Sequence, residues 1–235
     1  MDKMKVIFLI PCYNASLNIE SLATSLVEQK NDNWSAIFID DMSIDDTSET
    51  VRALRSDKFT LIKNKEKKYA LKNIVDTARS FQNNEDIIIA IVDGDDSLCN
   101  ENTVDLLIEA YSNGKDVVWT GHVWDVNGLN ISKPMPDIVD PYAWPWCSSH
   151  LKTFKASLIS KISDDNFINT DGTWFKRGYD QALMLPIIHV SSKRHFVPDV
   201  CYRYNINSVS IPKRDYAERS QISTINIVRS RGFLG

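Results

Sequence analysis

Glycine is scarce, with 8 in 235 residues, and none is clustered into a phosphate loop. That excludes a Walker loop and a glycine-rich dinucleotide loop. Cysteine is sparse as well: Cys12, Cys99, Cys147 and Cys201 are too far apart for a metal ribbon or a redox pair, and isolated reduced thiols are expected. No apolar run approaches the ~20 residues of a membrane-spanning helix, and the stretch at 6–10 is too short for a signal-peptide core. A cytoplasmic protein without a transmembrane segment is expected. The net charge of −4 leaves no basic footprint, so nucleic acid is not an expected partner. No Ser-His-Asp arrangement or cysteine nucleophile motif stands out.

What is present describes a folded enzyme-sized unit. With 43% hydrophobic and 25% charged residues the chain can bury a core, and its length suits one α/β domain with a small appended lobe. Short apolar runs occur at 6–10, 36–39, 59–62 and 87–92, and the first, second and fourth are nearly continuous. That pattern belongs to strands covered on both faces, as in a parallel sheet. Between them, Ile19, Leu22, Ala23, Leu26 and Val27 share one helical face, as do Leu71, Ile74, Val75 and Ala78, and Val104, Leu107, Ile108 and Tyr111. A further helix, 46–55, opens on acidic and hydroxyl residues. Strand and helix thus alternate as in a doubly wound sheet.

Beyond Gly114 the pattern changes. A strand is expected at 116–121, a long proline- and tryptophan-bearing loop at 132–146, helices near 154–162 and 180–185, a strand near 196–204, and a weakly amphipathic stretch at 216–231. The run Lys63, Lys65, Lys67, Lys68 reads as a solvated loop or a phosphate-steering patch.

Ligands of open α/β sheets bind beyond the carboxyl ends of the strands. Those ends carry Pro11-Cys12-Tyr13-Asn14, Asp40-Asp41 and Asp93-Gly94-Asp95-Asp96. Clustered carboxylates repel, and a bound cation relieves this; hard ions such as Mg²⁺ and Mn²⁺ favour carboxylate oxygens. Asp-Gly is also a common turn pair, and Asp a common helix cap.

The segments FLIPCYN, IFIDDMSIDDT and IAIVDGDD, in that order, resemble the inverting family 2 glycosyltransferases. The resemblance is firm over residues 4–122. It implies a GT-A-type single domain spanning 1–235: a Rossmann-like, mostly parallel sheet flanked by helices, with a smaller C-terminal acceptor-side region. Residues 1–122 would form the nucleotide-sugar-binding half, and 123–235 the acceptor-binding and catalytic-base half.

By the same resemblance, Pro11, Tyr13 and Asn14 line the base pocket and Asp41 hydrogen-bonds the base. Asp93 or Asp95 approaches the ribose across Gly94, and Asp95 with Asp96 holds Mn²⁺ or Mg²⁺ on the diphosphate. Lys72 matches a basic position near the nucleotide, or else is a solvent-facing helix lysine. Asp180 in Gly-Tyr-Asp-Gln matches the catalytic base, with Tyr179 in place of the usual glutamate; Asp164, Asp165 and Asp171 are the other acids available. Asn207 stands where many relatives carry a histidine, and His150 is either a donor- or acceptor-facing group or a structural one. Trp144, Trp146, Trp174 and Phe175 suit sugar faces or loop packing.

The expected reaction is metal-assisted transfer of a sugar from a donor, UDP-linked on family grounds, to an acceptor hydroxyl of a saccharide, glycolipid or glycoprotein, with inversion. A nucleotidyltransferase is the rival enzyme, although Pro-Cys-Tyr-Asn replaces the Gly- and Arg-rich loop it needs. A catalytically silent sugar-nucleotide or glycan-binding module is the rival from another class.

Overall fold

The computed structural model describes residues 4–206 and 214–235. Its first half follows the expected alternation: β1 (Lys5–Cys12), α1 (Ile19–Val27), β2 (Trp34–Asp40), α2 (Thr47–Ala53), β3 (Phe59–Lys63), α3 (Tyr69–Arg79) and β4 (Ile87–Ile91). A two-residue strand, β5 (Ser97–Leu98), and α4 (Thr103–Ser112) follow. The second half holds β6 (Val117–Trp124), β7 (Lys152–Lys155), two 3-10 turns (Ala156–Lys161 and Asp164–Phe167), α5 (Tyr179–Val190), β8 (Arg194–Tyr204) and α6 (Arg214–Arg231).

All eight strands form one sheet, ordered β3-β2-β1-β4-β7-β6-β8-β5. Strands β1 to β4 pair in parallel, β7 runs antiparallel to both β4 and β6, and β8 is parallel to β6. The sheet is therefore parallel in its first half and mixed beyond β4.

The continuous apolar runs have a direct cause. Ile7 and Leu9 of β1, with Ile89 and Ile91 of β4, face a core that includes Leu71, Ile74, Val75 and residues of α5. Val6, Phe8 and Ile10, with Ile88 and Ala90, face the opposite core, which includes Ile19, Leu22, Leu26, Val104 and Leu107. Because successive side chains of a strand point to opposite faces, two cores demand apolar residues at every position.

One expected element is different. The helix anticipated over 154–162 begins instead as strand β7, with a 3-10 turn after it. The reversal sets up the site. Since β7 is antiparallel to β4, its first residue, Lys152, pairs with Ile91, the last residue of β4. Lys152 thus reaches the sheet edge that carries the strand-end aspartates.

Candidate active site

At that edge the turn after β4 folds back onto β1. The Gly94 N–H donates to the Pro11 carbonyl at 3.2 Å, and a Cβ at Gly94 would lie 2.9 Å from Cys12 Sγ and 3.0 Å from Pro11 O. Glycine is needed here because two backbones touch. The neighbouring acidic pair divides its work. Asp40 is buried and accepts from the Ser43 N–H and the Ser48 hydroxyl, binding its own loop. Asp41 accepts the N–H groups of Lys68 and Tyr69 and the amide of Asn64, each at 2.8 Å. Burial alone would raise the Asp41 carboxyl, but these donors outweigh it and hold it below the usual carboxylate range.

A cavity of about 370 Å³ opens beside these groups. Of the residues expected there, Pro11, Tyr13, Asp41, Asp93 and Asp180 line it. Asn14 turns away: its Oδ1 accepts the Ile44 N–H at 3.0 Å. Lys72 pairs with Asp76 on its own helix at 2.9 Å and lies over the Trp174 ring. The cations on the cavity are Lys67, Lys176 and Arg177. Lys67 comes from the basic run, where the loop held by Asp41 carries it over the Tyr13 ring. Asn73 of α3 also lines the cavity; its Oδ1 accepts from Asn64 at 2.7 Å, whereas its buried Nδ2 has no hydrogen-bond partner among the described residues.

Deeper in, the donor atoms of Asp93, Asp96 and His150 lie within 4.8 Å of one another. Asp96 was an expected metal ligand; Asp95, the other, stands outside this group, and Asp93 and His150 complete it. Asp96 is buried and accepts from the Tyr202 hydroxyl at 2.5 Å and the Asn205 N–H at 2.7 Å. Burial, then the charges of Asp93 and Asp95, push its carboxyl up to about 8. Burial likewise raises Asp93, to about 6, against the opposing pull of Lys152. His150 stacks on Tyr202 at 4.5 Å, and burial with the nearby Lys152 charge keeps its ring well below its ordinary value, hence neutral. Two carboxylates and a neutral imidazole suit a divalent ion such as Mn²⁺. Each carboxylate oxygen keeps a second lone pair beside its internal hydrogen bond.

The feature the sequence did not disclose is Lys152, whose side chain is wholly buried. Its ammonium meets Asp180 Oδ1 at 2.5 Å, lies 3.3 Å from His150 Nδ1, and is 3.8 Å from Asp93 Oδ2. Tyr179 donates its hydroxyl to Asp93 Oδ1, which closes the ring of contacts. Burial would pull the lysine down, but the charges of Asp180 and Asp93 outweigh it and hold it above its usual range. A buried ammonium is tolerable only when paired in this way.

Asp180 is the second residue of α5, which the chain enters through Gly178 at φ 64°. A side chain there would also press on the Gln221 carbonyl of α6, 3.1 Å from an added Cβ. A quarter of the Asp180 side chain is exposed, and its Oδ2 takes no hydrogen bond from the described residues. Asp180 lines both the first cavity and a second one of about 530 Å³. Trp124, Trp146, Tyr204 and Ile131 wall the second cavity. The Trp124 indole donates to His122 Nε2 at 3.2 Å, and His122 Nδ1 pairs with Ser132 at 2.9 Å, so that wall is anchored from behind.

The other candidates sit elsewhere. Asp164 pairs with Arg79 at 2.6 Å, Asp171 binds its own turn through Thr173, and Asp165 is exposed. Phe175 is buried in the core, Trp174 stacks on Phe167, and the Trp144 carbonyl accepts from Arg229. Asn207 lies outside the described residues. Among the described residues no helix is long and apolar enough to cross a membrane.

Solved structures share this fold. Residues 1–349 of TarS from S. aureus match with a TM-score of 0.71 and 18% identity, over 99% of this chain and 67% of that one. The same protein in complex with UDP-GlcNAc matches at a TM-score of 0.72 and 17% identity, over 99% and 68%. The mannosyltransferase PcManGT from Pyrobaculum calidifontis, in complex with GDP-Man and Mn²⁺, matches at 0.66 and 18%, over 98% and 65%. The chain thus spans about two thirds of these relatives, and 41% of the longer TarS structure. At such identity the likeness establishes the GT-A fold. No curated protein sequence matches. The family model described as glycosyl transferase family 2 matches residues 7–183, about three quarters of the chain. That span runs from β1 through the aspartate turn and Lys152 to Asp180, and the chain belongs to glycosyl transferase family 2.

Proposed function

We propose that this glycosyltransferase moves a sugar from a UDP-linked donor to an acceptor hydroxyl, with metal assistance and inversion at the anomeric carbon. The observation that carries the reading is Asp180, whose Oδ2 accepts no hydrogen bond from the described residues where two cavities meet. The donor's nucleotide takes the cavity of Tyr13, Asp41, Asn73 and Asp93, and the acceptor takes the aromatic one. A UDP-sugar complex of TarS and a GDP-Man complex of PcManGT support a nucleotide-sugar donor. Every lining residue of the aromatic cavity falls within 123–235, in keeping with an acceptor half there, whereas the donor cavity joins Pro11, Tyr13, Asp41, Asn73 and Asp93 of 1–122 to Lys176, Arg177 and Tyr179 of the second half.

In this mechanism the acceptor hydroxyl lies against the Oδ2 oxygen of Asp180 and loses its proton as its oxygen attacks the anomeric carbon. Attack from the side opposite the leaving diphosphate inverts the centre. Lys67, Lys176 and Arg177 face the departing negative charge, and Asp93, Asp96 and His150 would hold the divalent ion, Mn²⁺ or Mg²⁺, with Asp95 beside them. When bound, that ion supplies positive charge to the diphosphate oxygens. The flat faces of Trp124, Trp146 and Tyr204 suit the C–H faces of a saccharide, whether free or carried on lipid or protein.

Thermal unfolding with UDP, GDP and other nucleoside diphosphates, with and without Mn²⁺, tests the donor site. A ligand of the folded state raises Tm by mass action. A metal-dependent rise with UDP that is lost in Asp96→Ala is expected; no rise with any nucleotide would overturn the assignment. The anomeric configuration of the product, read by NMR, tests inversion.

A further inference from the structure

We propose that Lys152 is a positioning residue for transfer: it anchors one oxygen of Asp180 so that the other points at the acceptor. The inference rests on the function proposed above and adds a residue to it. Asp180 stands in the first turn of α5, and a carboxylate there can rotate about two side-chain bonds. Unanchored, it would turn either oxygen to the cavity or swing toward Arg177, its neighbour on both cavity walls. The Lys152 ammonium removes that freedom by taking Oδ1 at 2.5 Å, while Oδ2 takes no hydrogen bond from the described residues.

The anchor is itself rigid. Lys152 is the first residue of β7, in register with Ile91 of β4 and Trp119 of β6, so its backbone is fixed from both sides. Its side chain has no exposed surface, and its tip is ringed by Asp180, Asp93, His150 and the Tyr179 hydroxyl. A lysine ammonium has three hydrogens to donate, and the ring supplies acceptors on several sides. The same cation touches Asp93 of the donor cavity and Asp180 at the acceptor cavity. It therefore fixes the distance between the group that faces the nucleotide and the group that receives the proton. Shifts of about 1 Å in such geometry cost on the order of 100-fold in rate.

The test uses Lys152→Met, which keeps length and apolar packing, and Lys152→Gln, which keeps an N–H donor. The readouts are UDP release from UDP-GlcNAc, or GDP release from GDP-mannose if the wild type prefers it, together with the Kd for the nucleoside diphosphate plus Mn²⁺. Lys152→Met is expected to lower kcat by about 100-fold while Kd stays within about threefold, and Lys152→Gln to recover a measurable part of kcat. Lys152→Met combined with Asp180→Asn should lose no more than Asp180→Asn alone, because residues acting as a unit are not additive. An unchanged kcat, a Kd that weakens in proportion, or multiplicative losses would each overturn the proposal. If Lys152→Met does not fold, Lys152→Gln decides the matter by the same criteria. A wild type that turns over neither donor sinks the proposed function itself, which is a separate outcome.

Discussion

Tyr202 donates its hydroxyl to Asp96 Oδ2 at 2.5 Å and accepts the Asp93 N–H at 3.2 Å, so one buried phenol fixes both ends of the acidic turn. The phenol is carried on β8, more than a hundred residues from the turn it braces. Tyr202→Phe keeps the ring stacked on His150 and removes only the oxygen. It leaves Asp96 with the Asn205 N–H and the Asp93 N–H without an acceptor. Losing a partner of a buried polar group costs about 1–3 kcal/mol. The denaturant midpoint should fall with an unchanged m-value, and Mn²⁺ binding should weaken. Stability within about 0.5 kcal/mol of wild type would show that the turn holds without this brace.

The two basic candidates for the nucleotide should part company. Lys72 is committed to Asp76 and Trp174, whereas Lys67 lines the cavity. Lys67→Ala is expected to weaken UDP or GDP binding by about fivefold at low salt, an effect that shrinks in high salt because partly exposed charges are screened. Lys72→Ala should change binding by less than about twofold. Calorimetric titration of both variants at two salt concentrations decides between them; the reverse order would return the role to Lys72.

Much of this was legible in the sequence, and the exceptions share a cause. Strands β1, β2 and β4 announce themselves because both faces are covered, and the aspartates at their ends follow from sheet topology. Asp180 is visible as an acid opening a helical pattern. Strand β7 is not: Lys-Thr-Phe-Lys is four residues long and bounded by cations, which by composition reads as surface. Lys152 is buried only because Asp93 and Asp180, 59 and 28 positions away, converge on it. His150 enters the donor set through the same convergence. Local pattern describes how one element meets water; it carries no information on which distant elements cancel a charge.

The weakly paired amide of Asn73 makes a sharper claim on the donor. The residue is 2% exposed on the wall of the donor cavity, its oxygen is occupied by Asn64, and its Nδ2 acts on the Asp41 carboxyl without a close hydrogen bond among the described residues. A buried donor without a full hydrogen bond costs free energy until a ligand oxygen meets it. Asn73→Ala should therefore weaken nucleoside diphosphate binding by about three- to tenfold. If the Kd for UDP and GDP does not change, the amide is a packing element and no base reaches it.

The acidic cluster also sets a pH dependence whose sign can be worked out. Asp96 is raised by burial to about 8 and Asp93 to about 6, so the folded protein holds protons that the unfolded chain releases. Their contribution to stability is complete below the ordinary carboxylate value and is lost as pH rises through 6 and then 8. His122 and His150 act the other way, because burial holds both below their ordinary value and favours the neutral ring; their effect ends near pH 6.5. From about pH 6.5 to 8, Asp96 alone dominates, and the Tm of the metal-free protein should decline. A cation bound to the cluster displaces those protons, so its affinity rises over the same interval. The increment in Tm from Mn²⁺ should accordingly be larger at pH 8 than at pH 6.5. Asp96→Asn should abolish both the decline and the increment. A metal-free Tm that is flat or rising from pH 6.5 to 8 would mean that Asp96 is already ionised in the folded protein, with its charge balanced by Lys152 and the donors around it rather than by a proton.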